Sequence, residues 1–268
     1  MKTVTTIFAV MIAIAATAQN TFSHKTATVE VILLSEGQRE GGLNTLRGAT
    51  PEMIAEVAPN SVYPSATNAF LIRTKSGENI LIDTGYGREL FTGLQSAGVS
   101  PESIDAVLIT HLHGDHIGGL LRNDRAAFPN AKLMMSRLEA QSANENARNM
   151  MGQYELVTFD PESNAPATVF DDVKAMANYG HTPGHTIYFI DDVAIVGDMM
   201  HAMAFQMPYP QVAVTYDADS SAAVASRLKI LEYLAANNYT VGGMHIAYPG
   251  LGTLRSNGRG GYVFSPLR

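Results

Sequence analysis

Seven of the eight histidines in this 268-residue chain fall into four short clusters, and each cluster follows an apolar, strand-like run. The densest is His111-Leu112-His113-Gly114-Asp115-His116, directly after Ala106-Val107-Leu108-Ile109-Thr110. Gly180-His181-Thr182-Pro183-Gly184-His185, Gly197-Asp198-Met199-Met200-His201 and Gly243-Met244-His245 complete the set. Histidines scattered for packing would not collect at strand exits beside glycines and aspartates. Imidazoles and carboxylates held on rigid loops suit a transition-metal site.

The first cluster constrains the geometry further. His111 and His113 are two residues apart, so in an extended segment they project to the same side. Gly114 lets the chain turn and brings Asp115 and His116 into the same space. Four ligand-type side chains within six residues are too many for one tetrahedral ion, but two adjacent ions can share them. A structural zinc site is closed by four protein ligands, often cysteines. A histidine and aspartate set leaves room for water, and two metals about 3.5–4 Å apart can clamp and activate it.

Strand-like runs at Thr28 to Leu34, Asn68 to Thr74, Asn79 to Asp83 and Ala106 to Thr110 occupy the first half. Others follow at Lys132 to Ser136, Val173 to Tyr179, Thr186 to Ile190, Val193 to Val196 and Tyr239 to Gly242. Ser76-Gly77-Glu78 and Asp191-Asp192 read as hairpin turns. Helical patterns cover Gly87 to Ala97, Pro101 to Ile104, Arg137 to Met151 and Asp219 to Asn237. The last carries a stripe of Ala222, Val224, Leu228, Ile230, Leu231 and Leu234. Hairpin-rich strands in both halves, each half followed by helices, predict two sheets packed face to face with helices outside. The Gly-, Asn- and Thr-rich segment 36–64 is expected to be a loop, and a candidate cover for the site.

Residues 1–18 read as an export signal, with Lys2, the apolar stretch Ile7 to Ala15, and Ala16-Thr17-Ala18 as cleavage site. The apolar run is too short to span a bilayer comfortably. Cleavage before Gln19 would release residues 19–268 as one domain, periplasmic or secreted and not inserted in a membrane. The chain has no cysteine, which excludes disulfides and cysteine ligands or nucleophiles. Its net charge of −7, without a Lys/Arg stripe, argues against a nucleic-acid partner. No Gly-x-Ser-x-Gly nucleophile motif is present.

Taken together, the His-x-His-x-Asp-His run at 111–116, the run at 180–185, Gly197-Asp198, His245 and the strand end Ile82-Asp83-Thr84-Gly85 resemble the metallo-β-lactamase superfamily. The resemblance implies a four-layer αββα sandwich with two divalent metal ions at one edge, zinc first, with iron or manganese left open. It implies His111, His113 and His181 on one metal, Asp115, His116 and His245 on the other, and Asp198 bridging. A bridging hydroxide would then attack a lactone, a carboxylic ester or a phosphotriester. Asp115 and Asp198 join the catalytic set on this reading, Asp198 also as a proton acceptor. His185 is expected behind the ligands rather than among them. Asp83 either orients a ligand imidazole or forms a turn or cap.

The C-terminal third resembles the branch containing methyl parathion hydrolase and related exported lactonases, in which dimers are common. His201 stands where acyl-homoserine lactonases place a tyrosine. It is expected to hydrogen-bond substrate, to steady the leaving oxygen, or to support Asp198. Thr253 departs from the histidine expected after Pro-Gly-x-Gly. Met199, Met200, Met203, Phe205, Met207, Tyr209 and Tyr248 divide between core and an apolar substrate pocket. One of Asp217 and Asp219 is expected to cap the following helix. No Arg or Lys lies beside the clusters in sequence, so the expected substrate is small and uncharged or weakly charged. Two alternatives stay open: an exported zinc-binding protein without catalysis, and a β-lactam-hydrolysing member of the same fold.

Overall fold

The computed structural model describes residues 21–268, so the export signal read at 1–18 lies outside the described residues. Two seven-stranded mixed sheets make up the centre. In the first, Thr21–Lys25, Val29–Gly42, Val62–Thr74 and Asn79–Ile82 run antiparallel to one another. Ala106–Leu108, Lys132–Ser136 and Glu155–Phe159 then add in parallel. The second sheet orders Ala167–Phe170, Val173–Ala177, Thr186–Ile190, Val193–Ile195, Thr240–Gly242, Leu251–Ser256 and Tyr262–Pro266. All its pairs are antiparallel except Val193–Ile195 with Thr240–Gly242.

The strand sequences explain the layering, because alternate residues face opposite sides of a sheet. Val31 and Leu33 join Phe70, Ile72, Tyr188, Ile190 and Ile195 in the core between the sheets. Ile32 and Leu34 instead pack with Leu71, Val107, Leu133 and the helix residue Leu94. On the far side, Ile187, Phe189 and Val241 pack against Ile230, Leu231 and Leu234 of the helix Ser220–Ala236. Strands apolar on both faces must be covered on both faces, and the result is the expected sandwich of two sheets flanked by helices. Among the described residues no helix is long and apolar enough to cross a membrane.

Several boundaries differ from the sequence expectation. Segment 36–64 is not one loop. The strands Val29–Gly42 and Val62–Thr74 extend into it, with the helix Pro51–Val57 between them. The expected helix 137–151 is two helices, Arg137–Ser142 and Glu145–Met151, because the Asn144 side chain accepts the N–H of Ala147 and starts a new helix. The helix Ser220–Ala236 is capped by Asp219 and buries Ala223, Arg227, Ile230, Leu231 and Leu234, whereas Leu228, assigned to the buried stripe, is 43% exposed. The buried Arg227 donates to the carbonyls of Met199, Pro210 and Val212 at 2.7, 2.9 and 2.9 Å. It thereby fixes the segment that follows Asp198.

Candidate metal centre

Each histidine cluster sits where a strand leaves its sheet, all at one edge of the sandwich. Asp83 follows Asn79–Ile82, His111 follows Ala106–Leu108, His181 follows Val173–Ala177, Asp198 follows Val193–Ile195 and His245 follows Thr240–Gly242. Ligands on open α/β sheets gather at such carboxyl ends. One turn has a strict requirement. Gly197 has φ of +52°, and a Cβ there would lie 2.6 Å from Nε2 of His185.

The seven residues come together as two groups that share a wall. Ligand atoms of His111, His113, His181 and Asp198 lie within 4.8 Å of one another, as do those of Asp115, His116 and His245. Asp198 lies between them: its Oδ1 is 3.2 Å from Nε2 of His116, and its Oδ2 is 3.4 Å from Nε2 of His181 and 3.2 Å from Nε2 of His245. Asp115 Oδ2 is 3.4 Å from Nε2 of His245. His113 presents Nδ1, 3.1 Å from Nε2 of His181. Nε2 of His111, Nε2 of His116 and Oδ1 of Asp198 are buried without a hydrogen-bond partner. Buried polar atoms are normally satisfied, and a set of converging lone pairs fits divalent cations. The donors are histidine nitrogens and carboxylate oxygens, without sulfur, which suits zinc, manganese or iron.

The far nitrogens are held from behind, which sets the tautomers. His116 Nδ1 donates to Asp83 at 2.6 Å, so Asp83 does face a ligand-type imidazole. The same carboxylate accepts the Thr110 N–H and hydroxyl, each at 2.7 Å, and Thr110 Oγ1 lies 3.1 Å from Nδ1 of His111. His181 Nδ1 donates to Asp217 at 2.9 Å, so Asp217 is a partner of the site and not the helix cap. His245 Nδ1 donates to the Ala66 carbonyl at 2.9 Å. His185 accepts the Asp198 N–H at Nε2, 2.9 Å away, behind the cluster as expected.

The metal-free electrostatics follow from the same contacts. Burial opposes charge on His116, but the Asp198 and Asp83 carboxylates outweigh it and hold that imidazole well above its usual range. For His181 burial is likewise overcome, here by hydrogen bonds to Asp198 and Asp217, and its pKa rises to about 9. Burial pushes Asp198 up, yet the neighbouring His245 and His116 hold it well below the usual carboxylate range. His113 falls to about 4 and His201 to about 3, mainly through burial, with neighbouring imidazoles adding to it.

A cleft of about 390 Å³ opens above these groups, lined by Asp115, Asp198, His201, Tyr63, Tyr216 and Arg39 among others. Two expectations need correction here. The methionines and Phe205 do not line the cleft: Met199, Met200, Phe205 and Met207 are core, and the aromatic walls are tyrosines. The absence of a cation beside the clusters holds only along the sequence. Arg39 Nη2 lies 2.9 Å from Nδ1 of His245, across 206 residues.

Glu139 also escaped the sequence reading. This carboxylate, 1% exposed, accepts from the N–H of Leu112 at 2.9 Å, the Thr182 hydroxyl at 2.7 Å and the N–H of Gly184 at 2.9 Å. It joins loop 111–116 to loop 180–185. Its only local signal is the Ser136 cap that starts its helix.

Residues 62–241 match the family model of the metallo-β-lactamase superfamily, and the chain belongs to that superfamily. Its His/Asp clusters fit the dinuclear metal site of that class. Two solved structures share the architecture across nearly the whole chain. One is AidC, a dizinc quorum-quenching lactonase in complex with the product N-hexanoyl-L-homoserine (25% identity, 93% of this chain, 98% of that one, TM-score 0.83). The other is the hydrolase AbOPH of the β-lactamase superfamily (25% identity, the same coverage, TM-score 0.80). Among curated relatives, a hydroxyacylglutathione hydrolase of Shewanella loihica is 30% identical over 132 residues, 49% of this chain and 46% of its own length. The anti-Pycsar protein Apyc1 of Bacillus phage BSP38 is 49% identical over 53 residues, 20% of each chain. The chain thus spans less than half the length of these curated relatives.

Proposed function

We propose that this protein hydrolyses small lactones, with carboxylic esters as chemically equivalent substrates, at a pair of divalent metal ions, zinc first. The observation that carries the proposal is Asp198, whose two carboxylate oxygens face imidazoles of both groups at the floor of an open cleft. The likeness to a dizinc lactonase over 93% of the chain supports the substrate class.

On this reading His111, His113 and His181 would hold one ion, Asp115, His116 and His245 the other, and Asp198 would serve both. Bound there, a metal pair would supply water activation and Lewis acidity toward the carbonyl. The chain's own residues do the rest. Asp83, Asp217 and the Ala66 carbonyl hold Nδ1 of His116, His181 and His245 from behind, which orients each Nε2 toward Asp198. Asp198 and Asp115 line the cleft, and Asp198 would accept a proton there. His201 borders the cleft with a pKa of about 3. At neutral pH it is therefore an uncharged imidazole, suited to donating a hydrogen bond to substrate oxygen rather than to delivering a proton.

The test is hydrolysis of a lactone, an aryl ester, a phosphotriester and a β-lactam before chelation, after it, and after zinc is restored. Lactone or ester turnover that is lost and regained with metal is expected. Preferred turnover of the phosphotriester or β-lactam would refute the substrate assignment, and no turnover at all would refute the hydrolytic one. Export is a separate part of the proposal, and a mature N-terminus at Gln19 in secreted or periplasmic protein would support it.

A further inference from the structure

Arg39 owes its place to a bulge. Ser35 pairs with Asn68, but Gln38 pairs with Ala66, so the Arg39 strand carries one extra residue. An insertion of one reverses which side chains face which side. It sets Arg39 opposite Ser65, and both line the cleft together with Tyr63.

Among the described residues no carboxylate neutralises this guanidinium. Its Nε lies 3.4 Å from Ser65 Oγ. Glu40 lines the same cleft without forming an ion pair to it. The Glu36 carboxylate is taken up by the N–H groups of Tyr86, Arg88 and Glu89. His245 does not satisfy it either. The Ala66 carbonyl accepts only, so Nδ1 of His245 carries the proton and offers no lone pair to Arg39 Nη2 at 2.9 Å.

Arg39 and Tyr86 also line a second cleft of about 320 Å³ together with Arg88, whose guanidinium is 5.0 Å from the Tyr86 ring centre. The cleft therefore presents a fork-shaped donor without a carboxylate partner, on the far side of the His245 ring from Asp198. A guanidinium at such a place matches the planar carboxylate.

We propose that Arg39 forms a carboxylate-binding subsite, so that the preferred substrates carry a carboxylate a few bonds from the carbonyl that is hydrolysed. The inference rests on the hydrolase reading above and narrows its substrate class. Its test is calorimetric binding of glutarate and of its monoamide, glutaramate, to the zinc-loaded protein. Both offer one carboxylate to the metals, and only glutarate has a second for Arg39. Glutarate is expected to bind about tenfold tighter, a difference of about 1.4 kcal/mol. That ratio should fall to about one in Arg39→Ala and recover in part in Arg39→Lys. A wild-type ratio near one, or a preference that survives Arg39→Ala, would overturn the subsite. Because the measurement needs no turnover, its failure is distinct from failure of the hydrolysis panel.

Discussion

At the scale of single residues, the centre is defined as much by what stands behind the imidazoles as by the imidazoles. Asp83 is buried, and both its oxygens accept from Thr110 or His116, in three hydrogen bonds. Asp83→Asn replaces one of those acceptors with a donor, which breaks the pattern that leaves Nε2 of His116 bare. Partners of this kind typically contribute 10- to 100-fold in metal affinity. A loss of about that size is expected for one of the two ions, measured by competition with a chelating dye, and unchanged affinity for both would contradict the role. His181 adds a pH dependence whose sign is fixed. Its imidazole, held at about 9 in the metal-free protein, keeps a proton on the nitrogen that must meet the metal. Below pH 9 the ion held by His181 must displace that proton, so its apparent affinity should rise about tenfold per pH unit from 7 and lose this dependence above 9. Calorimetry in buffers of different ionisation heat reads the released proton directly. Affinity that stays flat between pH 7 and 9 would refute this assignment.

At the scale of elements, the site depends on loops from both sheets keeping register, and Glu139 is the tie between two of them. Glu139→Ala would leave the N–H groups of Leu112 and Gly184 and the Thr182 hydroxyl buried without an acceptor. One unsatisfied donor costs about 1–3 kcal/mol, so a loss of about 3 kcal/mol in urea unfolding is expected even after partial relaxation. A change below about 1 kcal/mol would mean that water replaces the carboxylate without loss. This tie also shows where the sequence stops being legible. Clusters 111–116 and 180–185 could be read because their ligand-type residues are local and dense. Glu139, Asp217 and Arg39 could not, since their partners lie 27, 36 and 206 residues away and their own neighbours carry no metal-like pattern. Asp217 and Asp219 could not be told apart for a related reason: two aspartates precede one helix, and only contacts in space separate the capping Asp219 from the histidine partner.

At the scale of the whole molecule, two sheets were legible because most strands are apolar on alternate or both faces. The last two strands, Leu251–Ser256 and Tyr262–Pro266, were missed. They lie at the edge of the second sheet with exposed Thr253, Arg255 and Ser256, so their apolar signal is weak. The apolar pocket expected from the methionines was wrong for a similar reason. Those side chains fill the layer between the second sheet and the helix Ser220–Ala236, where Arg227 anchors their backbone, and the cleft is left to tyrosines and Arg39. What the fold achieves overall is convergence, with four strand ends from two sheets meeting at Asp198 and a fifth, carrying Asp83, standing behind His116. The most direct test of that account is the metal content of the purified chain, by mass spectrometry, beside that of Asp198→Ala with its fold checked by circular dichroism. Two ions per wild-type chain, falling to one or none in the variant, is the expected result. One ion or none in the wild type after incubation with zinc or manganese would contradict the dinuclear centre.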